Sequence, residues 1–119
     1  MALTKVTSGV LGDEYTSSSS LTSAATISVD TSTADVFTLT AGHSATLNFT
    51  NVVIGDLKTL VITGGGSSYT ITLGTINGAS ATYNLISGSY DDTSATKNFI
   101  QIKFISTTEA WYTISQISS

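Results

Sequence analysis

The stretch TLVITGGGSSYTITLG, residues 59–74, places three consecutive glycines between two apolar runs. A phosphate-binding loop leaves a strand and opens a helix, and a Walker loop also requires G-K-[ST], which is absent here. The second run instead alternates like a strand, and glycine readily adopts the positive φ angles of hairpin turns. The stretch therefore predicts a hairpin with Gly64–Gly66 at an exposed tip. The residues predicted to share its buried face are Leu60, Ile62, Ile71 and Leu73.

The same alternation of apolar and polar residues recurs along the chain and predicts an all-β protein. The predicted strands are TISVD (26–30), VFTLT (36–40), TLNFT (46–50), KTLVIT (58–63), YTITL (69–73), NFIQIKFI (98–105) and AWYTISQI (110–117), with TYNLI (82–86) as a weaker eighth. No window shows the spacing of an amphipathic helix. Because the connections are short, and parallel strands need long crossovers, we expect mostly antiparallel sheets.

These patterns predict two parts, an N-terminal arm over residues 1–20 and one β-domain over residues 21–119. The β-domain is predicted to be a single antiparallel β-sandwich, jelly-roll-like, with about seven or eight strands. Its predicted core is Phe37, Leu39, Leu47, Phe49, Leu60, Ile62, Ile71, Leu73, Ile100, Ile102, Phe104, Tyr112 and Ile114.

The composition excludes several classes of function. A chain of 119 residues suits one domain, and with no cysteine it has no disulfide, thiolate nucleophile or cysteine zinc site. The net charge is −4 and four scattered lysines carry all the positive charge, which argues against nucleic-acid binding and against an anionic membrane surface. No apolar run approaches the ~18 residues of a membrane span, and the N-terminus lacks the apolar core of a signal peptide.

The arm carries more apolar residues than a free tail needs. Leu3, Val6, Val10 and Leu11 are the candidate residues for docking on a partner, with Tyr15 nearby. The alternative is a frayed terminus without a docking role. Thr16–Ser20 has the composition of a linker.

The polar residues do not form a pattern typical of catalysis or of metal binding. His43, the single histidine, lies in a predicted turn and lacks the surrounding motif of a Ser–His–Asp site. Asp91 and Asp92 do not follow the calcium-loop pattern, even with Asp30 or Asp56 added. We therefore expect no enzyme activity, no metal and no cofactor.

Trp111 and Tyr112 are adjacent in a predicted strand, so one side chain should face inward and the other outward. An outward Trp111 is the candidate contact for a glycan or for another subunit. A structural role for this tryptophan near a sheet edge is the alternative.

The order of these motifs resembles a β-module common in bacteriophage tail-fibre and virion-surface proteins. The similar segments are Asp35–Thr40, Thr46–Phe49, Gly55–Ile62, Gly64–Leu73 and Ile102–Tyr112. The opening MALTKVTSGVLGD also resembles the start of phage fibre proteins, where a longer shaft would follow. Shaft repeats are absent from this sequence, which favours a small appendage, a fibre tip or a capsid decoration protein.

The resemblance implies a non-enzymatic virion structural protein, a tail appendage anchored by its arm and assembled as a homotrimer. Its expected partners are other copies of itself, other phage virion proteins and a host surface glycan, without nucleic acid or membrane insertion. A capsid decoration protein that stabilises the head is the first alternative. A free carbohydrate-binding module is the second.

Overall fold

The computed structural model describes residues 18–117, which form nine β-strands and contain no helix. Each of the eight predicted strands overlaps one of the observed strands β2–β9, so the all-β prediction is confirmed. The first strand falls inside the segment predicted as an arm. The strands are β1 (Ser18–Ser20), β2 (Thr26–Asp30), β3 (Val36–Thr40), β4 (Ala45–Thr50), β5 (Leu57–Thr63), β6 (Ile71–Ile76), β7 (Thr82–Ser87), β8 (Lys97–Phe104) and β9 (Glu109–Ile117).

Successive strands β1–β6 alternate between two sheets, so the chain winds as a coil. The long sheet has the order β1-β3-β5-β8-β9-β7, and the short sheet has the order β2-β4-β6. Strands stacked on one another in the coil are parallel and in register, for example Phe37 beside Leu60 and Leu47 beside Leu73. The fold is a β-solenoid, and the predicted antiparallel jelly-roll sandwich is wrong.

The prediction of antiparallel pairing failed because it assumed that each connection joins two neighbouring strands of the same sheet. Parallel neighbours need a dozen or more residues between them. In this coil the intervening strand of the facing sheet lies within that connection: β4 separates β3 from β5. Short links between sheets are therefore compatible with parallel pairing inside each sheet.

Among the nine strands of residues 18–117, every antiparallel pair includes β8. Strand β8 pairs antiparallel with β5 and with β9, and β7 joins the outer edge of β9 in parallel. The long sheet therefore continues for three strands beyond β5, whereas the short sheet stops at β6.

The hydrophobic core lies between the two sheets. Most of the predicted core is buried, including Leu47, Phe49 and Leu60, which have no exposed surface. The prediction omitted several buried residues, namely Ile27, Val29, Ile76 and the small side chains of Ala34, Ala41, Ala45 and Ala110. Four predicted core residues are only partly buried: Ile71, Leu73, Tyr112 and Ile114.

The triple glycine is a corner between the two sheets, and the predicted hairpin is wrong. Strand β5 belongs to the long sheet and β6 to the short sheet, so they do not pair. Gly64 is buried, and a Cβ placed there would lie 2.7 Å from the carbonyl carbon of Asp92. Gly66 is exposed and has a φ of 81°, which favours glycine. The glycines therefore allow a close approach of two backbones.

Candidate assembly site

An apolar cleft lies where the long sheet extends beyond the end of the short sheet. Its volume is about 280 Å³, and we call it the end cleft. The four partly buried core residues lie in its wall, and none of its lining residues is charged. The end cleft is lined by Ile71, Thr72, Leu73, Tyr83, Tyr90, Ile100, Tyr112 and Ile114.

Aromatic rings connect the deep core to the end cleft. Phe104 and Phe49 have ring centroids 5.5 Å apart, Phe49 and Tyr83 are 6.4 Å apart, and Tyr83 and Tyr112 are 6.4 Å apart. The hydroxyl of Tyr83 is buried without a hydrogen-bond partner among the described residues, and burial raises its pKa to about 12. Such tilted and edge-on ring contacts add to packing, so the wall of the cleft is preformed.

Two adjacent aliphatic side chains project from the loop between β4 and β5. Val53 is 64% exposed and Ile54 is 59% exposed, and we call this pair the aliphatic loop. The Val53 N–H donates to the Asp56 carboxylate at 3.1 Å, and the Asp56 N–H donates to the Val53 carbonyl at 3.0 Å. The side chain of Asn77 forms two further hydrogen bonds to the backbone of Val52. The pair is therefore presented on a fixed backbone.

The sequence signal for the aliphatic loop was weak. The segment VIGDL (53–57) contains the turn residues Gly55 and Asp56, so the sequence predicts a turn that includes the apolar pair. Two neighbouring aliphatic residues inside a predicted turn are the signal that could have indicated an exposed apolar surface.

Trp111 lies on the outer face of the long sheet, and Tyr112 lies on its inner face. The indole is 45% exposed, and its N–H donates to the Glu109 carboxylate at 2.9 Å. The Asn84 amide donates to the same carboxylate oxygen at 2.9 Å, and Lys103 is the cross-strand neighbour of Trp111. The hydrogen bond to Glu109 therefore holds the ring in place, and part of the residue is exposed to solvent. Strand β9 is an inner strand of the sheet, between β8 and β7.

The glycine corner binds a carboxylate of the same chain. Oxygens of the Asp92 side chain accept the N–H groups of Gly65, Ser67 and Tyr69 at 3.0, 3.1 and 2.9 Å, and the hydroxyl of Tyr90 at 2.7 Å. Burial raises the pKa of Asp92, but the hydrogen bonds outweigh it and lower the pKa to about 2. The corner thus has the donors of an anion cradle, and its own aspartate fills it.

Asn98 fixes the loop that carries Asp92. It is fully buried, and its amide nitrogen donates to the carbonyls of Ile62 and Asp91 at 3.0 and 2.8 Å. Its amide oxygen accepts the Asp91 N–H at 2.8 Å and the Gln116 side chain at 2.9 Å. All four hydrogen-bonding positions of the side chain are used, as expected for a buried amide.

His43 lies in the turn between β3 and β4, as predicted. Its Nδ1 is 2.9 Å from the hydroxyl of Ser23, and that hydroxyl also accepts the Gly42 N–H at 2.9 Å. No carboxylate among residues 18–117 hydrogen-bonds to the imidazole, so the described chain holds a Ser–His pair without the acid of a triad.

The remaining acidic candidates form local turns. Asp30 accepts hydrogen bonds from Ser32 and Asn51, and these hydrogen bonds lower its pKa. Asp91 accepts the Thr93 N–H at 2.9 Å, and its pKa is lowered by its hydrogen bonds to Thr93. The predicted docking residues Leu3, Val6, Val10 and Leu11 lie outside the described residues.

Two other kinds of functional feature do not occur in residues 18–117. No three His, Asp or Glu side chains in this range are grouped closely enough to hold a metal ion. The same range contains no long apolar helix of the kind that spans a membrane.

No family model matches the sequence, and no curated protein or solved structure matches it.

Proposed function

We propose that this protein is a non-enzymatic structural component on the surface of a bacteriophage particle, a small tail appendage that assembles as a homotrimer. The observation that supports this role is the end cleft. Four inward-facing residues remain half-buried there, Ile71, Leu73, Tyr112 and Ile114, because no strand of residues 18–117 follows β6 in the short sheet. Association with another molecule would bury them, and exposed apolar patches of this kind mark interaction surfaces.

The arm over residues 1–20 would attach the protein to other virion proteins through Leu3, Val6, Val10 and Leu11. The resemblance to phage fibre proteins supports this attachment. Deletion of residues 1–15 should abolish binding to the particle and leave the circular dichroism of the β-domain unchanged. A truncated protein that still attaches to the particle would contradict the anchoring role.

Head decoration is the first alternative to a tail appendage. The two locations differ in the number of copies per particle. A density map of the particle, or quantitative mass spectrometry of its proteins, distinguishes them: hundreds of copies indicate the head, and a few dozen or fewer indicate the tail.

Carbohydrate binding is the second alternative, and the setting of Trp111 favours it. The side chain is partly exposed, and beside it lie the Glu109 carboxylate and the Asn84 amide, which can hydrogen-bond to sugar hydroxyls. A glycan array with the wild type and Trp111→Ala tests this role. Turnover of a polysaccharide that is lost in His43→Ala would instead indicate an enzyme.

A further inference from the structure

We propose that Asn77 is a site of spontaneous deamidation, and that its pairing with the backbone of Val52 restrains this reaction while the protein is folded. The reaction converts the Asn77 amide into a carboxylate. It thereby releases the loop between β4 and β5 from the turn that follows β6. The inference goes beyond the proposed virion role and does not depend on it.

The sequence makes Asn77 the most reactive asparagine of the chain. Deamidation begins when the peptide nitrogen of the following residue attacks the side-chain carbon Cγ, so a large side chain on that residue obstructs the attack. Asn77 is followed by Gly78, which has no side chain. The other asparagines, Asn48, Asn51, Asn84 and Asn98, are followed by Phe49, Val52, Leu85 and Phe99.

The reaction consumes one water and releases one ammonia. Hydroxide removes the proton of the Gly78 N–H, and the nitrogen forms a bond to Cγ of Asn77. The bond between Cγ and Nδ2 breaks, and Nδ2 takes a proton from water and leaves as ammonia. The resulting five-membered imide adds one water at either carbonyl, which gives aspartate or isoaspartate.

The site lies in a tight turn that solvent can reach. Asn77 and Gly78 have φ angles of 50° and 81°, and the backbones of Ile76 and Ala79 exchange two hydrogen bonds around them, at 3.0 and 2.9 Å. Both turn residues are exposed, and a Cβ placed on Gly78 would meet no atom within 4 Å. Water and hydroxide can therefore approach the reacting atoms.

The side chain of Asn77 is held by two hydrogen bonds that we call the Asn77 clamp. Its Oδ1 accepts the Val52 N–H at 2.9 Å, and its Nδ2 donates to the Val52 carbonyl at 3.1 Å. Attack at Cγ makes this planar carbon tetrahedral, which moves Oδ1 and Nδ2 out of the plane of both hydrogen bonds. The clamp must therefore open before the reaction. Two neutral hydrogen bonds of ordinary strength reduce the open population by about ten- to a hundredfold.

The product cannot restore the clamp. In aspartate, a second carboxylate oxygen replaces Nδ2 and faces the Val52 carbonyl, so two acceptors meet without a donor. In isoaspartate, the chain continues through Cγ and the turn is longer by one carbon. Deamidation therefore permanently loosens the backbone that presents the exposed side chains of Val53 and Ile54.

The first test compares the folded and the unfolded full-length protein at the same pH and temperature. The wild type is incubated at pH 8 in buffer and in guanidinium chloride, and deamidation of each asparagine is followed by mass spectrometry of its peptides. In guanidinium chloride, Asn77 should react before the other asparagines. In the folded protein, its rate should be lower by about ten- to a hundredfold. An equal or higher rate in the folded protein, or earlier reaction of another asparagine in guanidinium chloride, overturns the proposal.

A pair of variants separates the clamp from a general effect of folding. Asp56→Ala removes the carboxylate that accepts the Val53 N–H at 3.1 Å, next to the clamp. It should accelerate deamidation of folded Asn77 by about two- to tenfold and leave the rate in guanidinium chloride unchanged. Asp91→Ala removes a similar hydrogen bond, to the Thr93 N–H, in the loop beside the glycine corner, which lies at the opposite end of β6. This control should leave both rates unchanged. Equal rates in Asp56→Ala and Asp91→Ala would show that the loop does not control the reaction.

A second test measures the consequence of the modification without waiting for it. Asn77→Asp reproduces one product, and it should accelerate hydrogen exchange of the Val52 N–H by about tenfold. Asn84→Asp changes an exposed amide that pairs with Glu109, and it should leave the exchange at Val52 unchanged. Unchanged exchange at Val52 in Asn77→Asp would refute the release of the loop.

Discussion

Asp92 should contribute strongly to stability, because its side chain holds the glycine corner. In Asp92→Asn, one carboxylate oxygen becomes an NH₂ group that faces two donors, either Ser67 and Tyr69 or Gly65 and Tyr90. Two N–H or O–H groups then lose their acceptor, and the other two keep a neutral one.

The expected cost can be calculated from these contacts. A hydrogen bond to a charged group contributes about 1.5–3 kcal/mol to stability. Because the Asp92 carboxylate is partly exposed to solvent, we take about 1 kcal/mol for each of its hydrogen bonds. Loss of two bonds and weakening of two more gives a decrease of about 2–3 kcal/mol in the free energy of unfolding. At roughly 4 °C for each kcal/mol, the melting temperature should fall by about 8–12 °C.

The assay is thermal and urea unfolding followed by far-ultraviolet circular dichroism, with Asp91→Asn as the matched control. Asp91 is the preceding residue, and its carboxylate accepts one backbone hydrogen bond, from Thr93. The control should lower the melting temperature much less than Asp92→Asn does, because the Asp91 carboxylate is exposed. An Asp92→Asn protein as stable as the wild type, or a control that is equally destabilised, would refute the role assigned to Asp92.

The dependence on pH gives an independent check. The pKa of Asp92 falls from 3.8 to about 2 on folding, so its ionised form stabilises the fold above about pH 4. This contribution is lost as the pH falls from about 4 to 2. The stability difference between wild type and Asp92→Asn should therefore be constant near neutral pH and shrink across that range. The lowered pKa of Asp30 affects both proteins equally and cancels in the difference. The charge of Asp92 raises the pKa of the neighbouring Asp91, so Asp92→Asn should lower that pKa further.

Three further substitutions test other contacts. Gly64→Ala should lower the free energy of unfolding in urea by about 1–3 kcal/mol, because its Cβ would press on the backbone of the Asp92 loop. The control Gly42→Ala should lower it by less than about 1 kcal/mol, because its Cβ meets only the Ser23 side chain, with Oγ at 3.3 Å. Asn98→Leu should cost at least about 3 kcal/mol and accelerate hydrogen exchange in residues 88–96, and unchanged exchange would show that the loop does not depend on this amide. Trp111→Ala should change the free energy of unfolding by about 1 kcal/mol. It should also abolish any binding signal on a glycan array, and a signal that persists would exclude Trp111 as the sugar contact.

The sequence was sufficient to locate strands β2–β9 and most of the core, whereas β1 lies in a segment predicted as a linker. Alternation in segments such as Phe37–Leu39 and Ile100–Phe104 identifies which side chains face inward, because a strand has a strict two-residue period. The same pattern does not identify the partner of a strand. The residues around Leu47 alternate in the same way whether the neighbouring strand is antiparallel or is a parallel strand one turn of the coil away.

The site was less predictable because its contacts join distant parts of the chain. Asp92 binds the N–H of Gly65 across 27 residues, and nothing near either residue indicates the other. The end cleft depends on where the short sheet stops, so Ile71 and Ile114 look like ordinary core residues in the sequence. The three consecutive glycines predicted an exposed hairpin tip. In the structure they lack side chains for a different reason, because a second backbone approaches them closely.

The position of β7 determines the order in which the chain can fold. This strand precedes β8 and β9 in the chain, but its only partner in the sheet is β9. Residues 82–87 must therefore wait without a pairing partner until residues 109–117 are available, whereas β1–β6 can pair with one another before then. A released chain truncated before residue 97 should hold a paired coil and an unpaired seventh strand, which is the segment most exposed to proteases and to aggregation.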